Sequence, residues 1–368
     1  MGMIVAKLGA LTGSYNRAGE KPLQTRLATM STFQENVSLK PLNTFGIEAR
    51  ARYFVQCTTT SEVQAAVSEA ARQGWPRLVL GGGSNLLLTR DFPGLVMLMA
   101  NRGIVLTETR ADAYIVRAAA GESWHGLVMH TLDAGWSGLE NLALIPGTVG
   151  AAPMQNIGAY GVELESVFES VEVLDTRSGT VLTLPRAACG FAYRDSIFKG
   201  AGRDRYVILQ VSLRLPRDRP PLFAYADLRA FFAERGISQP SAREVCAAVI
   251  AIRRAKLPDP AVQGNAGSFF KNPLVAADKF AALKVFYPDL VGYVQPGGAV
   301  KLAAGWLIER AGWKGRALGG AAVSERQALV LINRGGARAA DVVALAQAIQ
   351  ADIRSRFGVE LTPEPVLV

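Results

Sequence analysis

Gly81-Gly82-Gly83-Ser84-Asn85 follows directly on a strand-like stretch, Arg77 to Leu80, and its missing side chains let backbone N–H groups approach an anion closely. Three consecutive glycines are more often a tight turn than a phosphate site. This turn lacks both the lysine of a Walker loop and the G-x-G-x-x-G spacing of a dinucleotide fold, which disfavours a nucleotide-dependent kinase and a Rossmann dehydrogenase. A second stretch runs from Gly138-Leu139-Glu140-Asn141 through Ile145-Pro146-Gly147-Thr148-Val149-Gly150 to Gln155-Asn156-Ile157-Gly158-Ala159-Tyr160-Gly161. It is too rich in Gly and Pro for a regular element, and loops of that length are costly unless they bind something. His125 and His130 stand five apart, off the i, i+4 spacing of two ligands on one helical face, so no metal site is expected. Cys57, Cys189 and Cys246 are widely separated and form no C-x-x-C pair, which argues against disulfides or zinc and for a reducing, cytoplasmic location.

The elements that must position these loops follow from periodicity. Ala51 to Cys57 reads as a strand and Ser61 to Arg72 as a helix with Val63, Ala66, Val67 and Ala70 on one face. Ser61 and Gln64 are placed to form its capping box, Gly74 to stop it, and Arg77 to Leu80 to return as a strand, giving a β-α-β unit. Leu95 to Leu215 contains several strands, a helix near Trp124 to Leu132 and a hairpin turning at Arg177-Ser178-Gly179. The proline-rich Leu215 to Pro221 reads as a domain junction. Beyond it, helices are predicted at Asp227 to Glu234, Ser241 to Ala255 with a Ser241/Glu244 capping box, Lys301 to Ala311 and Ala339 to Phe357, with a buried strand at Gln327 to Asn333.

With 368 residues, 49% of them hydrophobic and 19% charged, the chain can bury a large core divided into two or three domains. No apolar run approaches the roughly 20 residues of a membrane-spanning helix. Of the formal +9, the first 30 residues supply +3 (Lys7, Arg17, Lys21 and Arg26 against Glu20), and the remaining +6 suits a phosphate-binding enzyme. There is no run of Lys and Arg and no aromatic-basic interleaving, which disfavours nucleic-acid binding. Residues 1–32 lack periodicity and are expected to be a disordered tail without an export signal, Met30 being a candidate alternative start.

Taken together, the glycine turn and the 138–161 loops resemble the UDP-N-acetylenolpyruvoylglucosamine reductase family. The resemblance extends from Asn43-Thr44-Phe45-Gly46 through Tyr193-Arg194-Asp195-Ser196-Ile197-Phe198-Lys199 and Lys256-Leu257-Pro258-Asp259-Pro260. It continues through Gly264-Asn265-Ala266-Gly267-Ser268-Phe269-Phe270-Lys271-Asn272-Pro273 to Lys301-Leu302-Ala303-Ala304-Gly305-Trp306-Leu307-Ile308, and residues from about Leu39 to Pro365 take part. It implies an α+β chain: a two-part FAD-binding region of the vanillyl-alcohol-oxidase (PCMH) type over 33–216, divided near residue 96, and a smaller C-terminal α+β domain for the UDP-sugar over 217–368. It also implies non-covalent FAD, NADPH as hydride donor, UDP-N-acetylglucosamine enolpyruvate as substrate, and a cytoplasmic monomer serving peptidoglycan synthesis.

Carried onto this sequence, the family pattern gives Arg194 the task of holding a carboxylate and stabilising an enolate, which a permanently charged, bidentate guanidinium suits. Ser268 falls at the proton-donor position, a role that needs a poised hydroxyl facing a strongly basic intermediate. Glu364 matches the active-site glutamate that polarises the substrate carboxyl, although Pro365 follows it where a longer strand is the family pattern. Tyr225, in Phe223-Ala224-Tyr225-Ala226-Asp227-Leu228, resembles the substrate-loop tyrosine of the family's first structural class. With Lys256, Asn272 and Lys301 it is expected at the UDP diphosphate or sugar. FAD is expected against Gly81 to Asn85, Pro146 to Gly150, Gln155, Asn156 and Gly158 to Gly161. Taken singly, each of these residues is ordinarily a turn residue, a surface ion pair or a solvated side chain; the strings around them reverse that judgement. An oxidase on the same flavin scaffold is the main rival, since fold does not fix chemistry. A colourless basic nucleic-acid-binding protein is the third reading.

Overall fold

The computed structural model describes residues 33–368; the expected tail, 1–32, lies outside the described residues. The first sheet is built from β1 (Gln34–Ser38), β2 (Arg50–Cys57), β3 (Arg77–Leu80) and β5 (Phe92–Met99), in the order β1-β2-β5-β3. The short β4 (Leu86–Leu87) precedes β5, and β2, β5 and β3 run parallel. The β2-α1-β3 crossover through α1 (Thr60–Gln73) therefore skips one position, which β5 fills. β5 is apolar almost throughout because both faces are covered: Leu95, Met97 and Met99 face the core shared with α1, while Val96 packs with Phe54, Leu80 and Leu39. β5 belongs to this sheet up to Met99.

Helix α1 starts one residue earlier than its sequence reading, and its cap lies two residues earlier. Thr59, not Ser61, caps it: Thr59 Oγ1 accepts from Glu62 N at 3.2 Å, and the Glu62 carboxylate accepts from Thr59 N at 3.2 Å. Two hydroxyl-x-x-acceptor patterns overlap here, and the one with the charged partner prevails, since a carboxylate gains from the positive helix N-terminus and an amide does not. Gly74 ends the helix in the left-handed conformation.

The second sheet is antiparallel, in the order β11-β10-β12-β7-β6: β6 (Ile104–Thr109), β7 (Ala113–Ala119), β10 (Phe168–Asp175), β11 (Val181–Pro185) and the eleven-residue β12 (Tyr206–Pro216). Between β7 and β10 lie α2 (Trp124–Asp133), a series of 3₁₀ turns and the two-residue pair β8 (Gly158–Ala159) and β9 (Val162–Glu163). The hairpin at 176–180 joins β10 to β11 as expected. One continuous core joins the α1 side of the first sheet to this sheet and extends to Leu228 and Phe232 of α3 (Ala226–Ala233) and Val245 and Val249 of α4 (Ala242–Lys256). The packing boundary therefore falls after α4 rather than at the proline-rich 215–221 segment, because the apolar faces of α3 and α4 are buried against the preceding region.

The remaining chain carries a sheet ordered β13-β19-β18-β17, formed by β13 (Asn265–Ser268), β17 (Ala317–Leu318), β18 (Ala321–Val323) and β19 (Val330–Asn333). A small sheet of β14 (Leu274–Val275), β15 (Gly292–Val294) and β16 (Val300–Leu302) lies alongside α5 (Ala277–Phe286), α6 (Ala304–Arg310) and α7 (Ala339–Phe357). The helix predicted from Lys301 begins only at Ala304, since Val300 and Leu302 are buried alternately as a strand and Asn272 Oδ1 accepts from Ala304 N at 3.0 Å. Phe269, Phe270, Leu307, Ile308, Leu345 and Ile349 form this region's core, together with Phe45, Ile47 and Leu87 from the chain's first third. β20 (Val366–Leu367) pairs in parallel with β4, and Glu364 N donates to Phe269 O at 2.8 Å. No helix among the described residues is long and apolar enough to cross a membrane. All three cysteines are buried, and burial pushes the Cys57 thiol up to about 12 and those of Cys189 and Cys246 to about 11.

Candidate active site

The two Gly-rich loops interlock. A methyl group on Gly82 would stand 2.8 Å from Gly147 Cα, and one on Gly81 would stand 2.3 Å from Thr148 Oγ1. One on Gly83, at φ +61°, would stand 2.0 Å from the Leu42 carbonyl oxygen, and Ser84 Oγ donates to Pro146 O at 3.1 Å. The glycines are thus required for close packing between loops as well as for access to the backbone. Among the described residues, the N–H groups of Gly81 to Asn85 donate to no protein acceptor. Successive unengaged N–H groups at the end of a strand form a concave donor site for an anion.

A carboxylate-guanidinium centre adjoins this cradle. Ala192 and Asp195 exchange backbone hydrogen bonds at 3.1 Å, making a tight corner with Arg194 at φ +55°. From that corner Arg194 Nη2 donates to Gly158 O at 2.9 Å, and Arg194 Nε lies 3.2 Å from Glu364 Oε1. Gln155 Nε2 donates to the same Glu364 oxygen at 3.0 Å, and Asn85 Nδ2 donates to Gln155 Oε1 at 2.7 Å. The Glu364 side chain is only 12% exposed. Burial pushes its carboxyl above the usual range, while Arg194, Lys199 and Lys271 act in the opposite sense. The site therefore sets a buried acid with a raised pKa directly beside a guanidinium. Ser268 ends β13 after the left-handed Gly267, and its neighbour Phe269 receives the Glu364 N–H; among the described residues no group hydrogen-bonds Ser268 Oγ.

The expected substrate residues divide between two places. Lys301 Nζ stands 4.6 Å from the Tyr193 ring centroid, beside the Arg194 corner, and Asn272 caps α6 with its side-chain oxygen, leaving its amide donor. Tyr225, at the start of α3, packs edge-on against Tyr160 with centroids 5.3 Å apart, and Lys256 pairs with Asp227 at 2.6 Å. Burial raises Tyr160 to about 12 and also raises Tyr225, whose other influences are Tyr293 and Asp227. Asn156 is a special case: its buried amide is committed to Glu163, to the Ala192 carbonyl and to Glu165 N, and it serves the loop's own architecture.

Sequence reasoning passed over Tyr193, Lys199 and Lys271, although all three sit inside the strings that carried the resemblance. It also passed over Arg253, whose Nε is buried without a hydrogen-bond partner and whose charge acts on Tyr160. The signal was present: Arg253 lies four residues beyond Val249 on the buried stripe of α4, where a charged residue is out of place. A buried, unsatisfied guanidinium donor is costly unless a ligand completes it. The unengaged N–H groups after β3 suit an anionic, diphosphate-bearing cofactor, and Arg253 offers a further unengaged donor beside Tyr160.

Residues 51–185 match the family model for an FAD binding domain, and residues 259–368 match that for the UDP-N-acetylenolpyruvoylglucosamine reductase C-terminal domain. The chain is 56% identical over 338 residues to the UDP-N-acetylenolpyruvoylglucosamine reductase of Paraburkholderia xenovorans, covering 91% of this chain and 98% of the relative. The Pseudomonas aeruginosa protein of the same name is 55% identical over 334 residues, covering 91% and 98% respectively. The crystal structure of the Thermus caldophilus reductase superposes with a TM-score of 0.64 at 26% identity, over 91% of this chain and 99% of that one.

Proposed function

Since the chain belongs to the UDP-N-acetylenolpyruvoylglucosamine reductase family and is an FAD-dependent oxidoreductase, we propose that it reduces UDP-N-acetylglucosamine enolpyruvate to UDP-N-acetylmuramate in the cytoplasm, with NADPH as the electron source. The observation that supports this most is the buried Arg194–Glu364 pair, tied through Gln155 to Asn85 at the end of the glycine cradle. FAD, when bound, supplies the hydride; Gly81 to Asn85 and Arg253 would hold its diphosphate.

Hydride addition to the terminal carbon of the enolpyruvyl group sends the double-bond electrons toward the carboxylate. Arg194 offers that carboxylate a fixed cation, and protonated Glu364 offers a hydrogen-bond donor, so both oppose the growing charge where it appears. The low exposure of both side chains strengthens this effect by excluding water. Ser268 Oγ, without a hydrogen-bond partner among the described residues, gives its proton to the α-carbon and completes the saturated ether; the alkoxide regains a proton from solvent. Tyr225, Lys256, Asn272 and Lys301 hold the UDP-sugar. The C-terminal part of the chain carries this substrate chemistry and the preceding sheets carry the cofactor.

An anaerobic stopped-flow spectrum near 450 nm tests this reading, with NADPH added first and the enolpyruvyl sugar second. Bleaching followed by recovery only with the sugar is expected. Bleaching without that recovery, or recovery driven by oxygen alone alongside oxidation of a hydroxy acid, would move the assignment to an oxidase.

A further inference from the structure

Two lysines meet at the back of the Arg194 corner. Lys199 Nζ and Lys271 Nζ each lie 3.5 Å from the Arg194 carbonyl oxygen. They come from different segments. Lys199 leaves the corner itself five residues on, next to the buried Phe198. Lys271 follows Phe270, and its N–H donates to Thr362 O at 2.9 Å, which sets it beside the segment that delivers Glu364. Among the described residues neither ammonium is within 4.0 Å of a carboxylate, so two cations share one neutral oxygen. Such convergence costs repulsion, and Lys199 shows it: burial first, then Lys271 and Arg194, depress its basicity, while Glu364 and Asp195 oppose them. A left-handed arginine is itself strained by roughly 1 kcal/mol or more and persists only where its surroundings fix it.

We propose that Lys199 and Lys271 are paired positioning residues: they clamp the Arg194 carbonyl, fix the corner that aims its guanidinium at Glu364, and add two positive charges to the wider surroundings of the Glu364 carboxyl. This rests on the reductase reading of the same site and adds to it the means by which the acid is tuned. The groups facing Glu364 are Arg194 and Lys199 from the 192–199 corner, Lys271 from the segment after β13, and Gln155 from the 3₁₀ turn; Tyr193 interacts with it from the corner's other side. Burial raises the proton affinity of Glu364, and the three cations act against it, so the lysines oppose the effect of burial on the acid that polarises the carboxylate.

The test uses the FAD-loaded full chain carrying Lys199→Met, Lys271→Met or both. The infrared band of a protonated carboxyl that vanishes in Glu364→Gln is followed against pH, without substrate. The expected result is an upward shift of its midpoint by about one pH unit or more for each ammonium removed. Lys199→Arg, which keeps the charge, should stay near the parent value. Where the double variant fails to fold, the single variants decide by the same criterion. An unmoved midpoint overturns the proposal, because a lysine that merely supports the fold would not change the titration of Glu364. Shifted midpoints in the variants together with a parent protein that fails to reduce the enolpyruvyl sugar would sink the reductase reading and leave the lysine assignment standing.

Discussion

Replacing Gly82 by alanine isolates the contact between the two Gly-rich loops. The added Cβ would stand 2.8 Å from Gly147 Cα, with the Gly147 C and N atoms at 3.4 and 3.5 Å, so everything it meets is backbone. Carbon atoms prefer about 3.5–4.0 Å, so the loops must part by roughly 0.7 Å or more. No side-chain rotation relieves this contact. Overpacking of this kind costs about 1–3 kcal/mol. Gly81 to Asn85 form one wall of the proposed FAD diphosphate site, so the cost is expected largely as weakened cofactor binding, by roughly 5- to 150-fold. Apoprotein prepared from Gly82→Ala and titrated with FAD, following the quenching of flavin fluorescence, gives the dissociation constant; thermal unfolding of the apoprotein gives any remainder as lost stability. Gly200→Ala is the control, since its Cβ would meet nothing closer than Ser196 O at 3.8 Å. Unchanged FAD affinity together with an unchanged unfolding midpoint in Gly82→Ala would refute the interlocked-loop argument.

Further predictions concern the chemistry. Ser268→Ala should leave flavin reduction by NADPH within about twofold of the parent while slowing sugar-dependent reoxidation by roughly 10²–10⁴; equal loss in both halves removes Ser268 as the proton donor. Glu364 has a raised pKa, so its protonated form persists above the ordinary carboxyl range, and the reoxidation rate should be full below that pKa and fall as pH rises through it. Glu364→Gln should flatten that limb, and a limb that survives in this variant belongs to another group. Arg253→Met should weaken FAD by roughly 10- to 150-fold, the range for a lost charge-assisted hydrogen bond, while leaving the apoprotein as stable or more so because a buried unpaired donor is gone. Parent-like FAD affinity in that variant would exclude the proposed diphosphate contact.

Much of the frame was legible because local signals and tertiary packing agreed. The Ser241/Glu244 box starts α4 where expected, and Gly74 ends α1 in the left-handed conformation its position invited. Differences arise where two local signals compete or where packing decides. Thr59 and Ser61 both precede an acceptor by three residues, and only the charge of Glu62 separates them. Val300 to Leu302 carries an apolar alternation that a helical pattern absorbs by eye, but strand partners on both sides claim it. The proline-rich segment after β12 looked like a domain boundary because composition marks a break in the chain, whereas the buried faces of α3 and α4 decide where the core ends. At the site, Arg194 and Glu364 lie 170 positions apart, and nothing in their spacing says they meet; only the resemblance placed them together before the coordinates did. The glycines illustrate the limit from the other side: their number was evident, but that Gly82 faces Gly147 rather than open solvent depends on a distance no sequence prints.

The three deeply buried, weakly acidic thiols make the native chain a quiet background for labelling. Thiolate is the reactive species, and burial holds Cys57, Cys189 and Cys246 as thiols at neutral pH and away from reagents. A single new cysteine at an exposed position, such as Val262→Cys on the segment between α4 and β13, would be the one site that a maleimide dye or spin label modifies. Paired with Asp218→Cys in the proline-rich segment, it would report the separation of the Tyr225 segment from the C-terminal sheet by distance-dependent spectroscopy, with every native cysteine left in place.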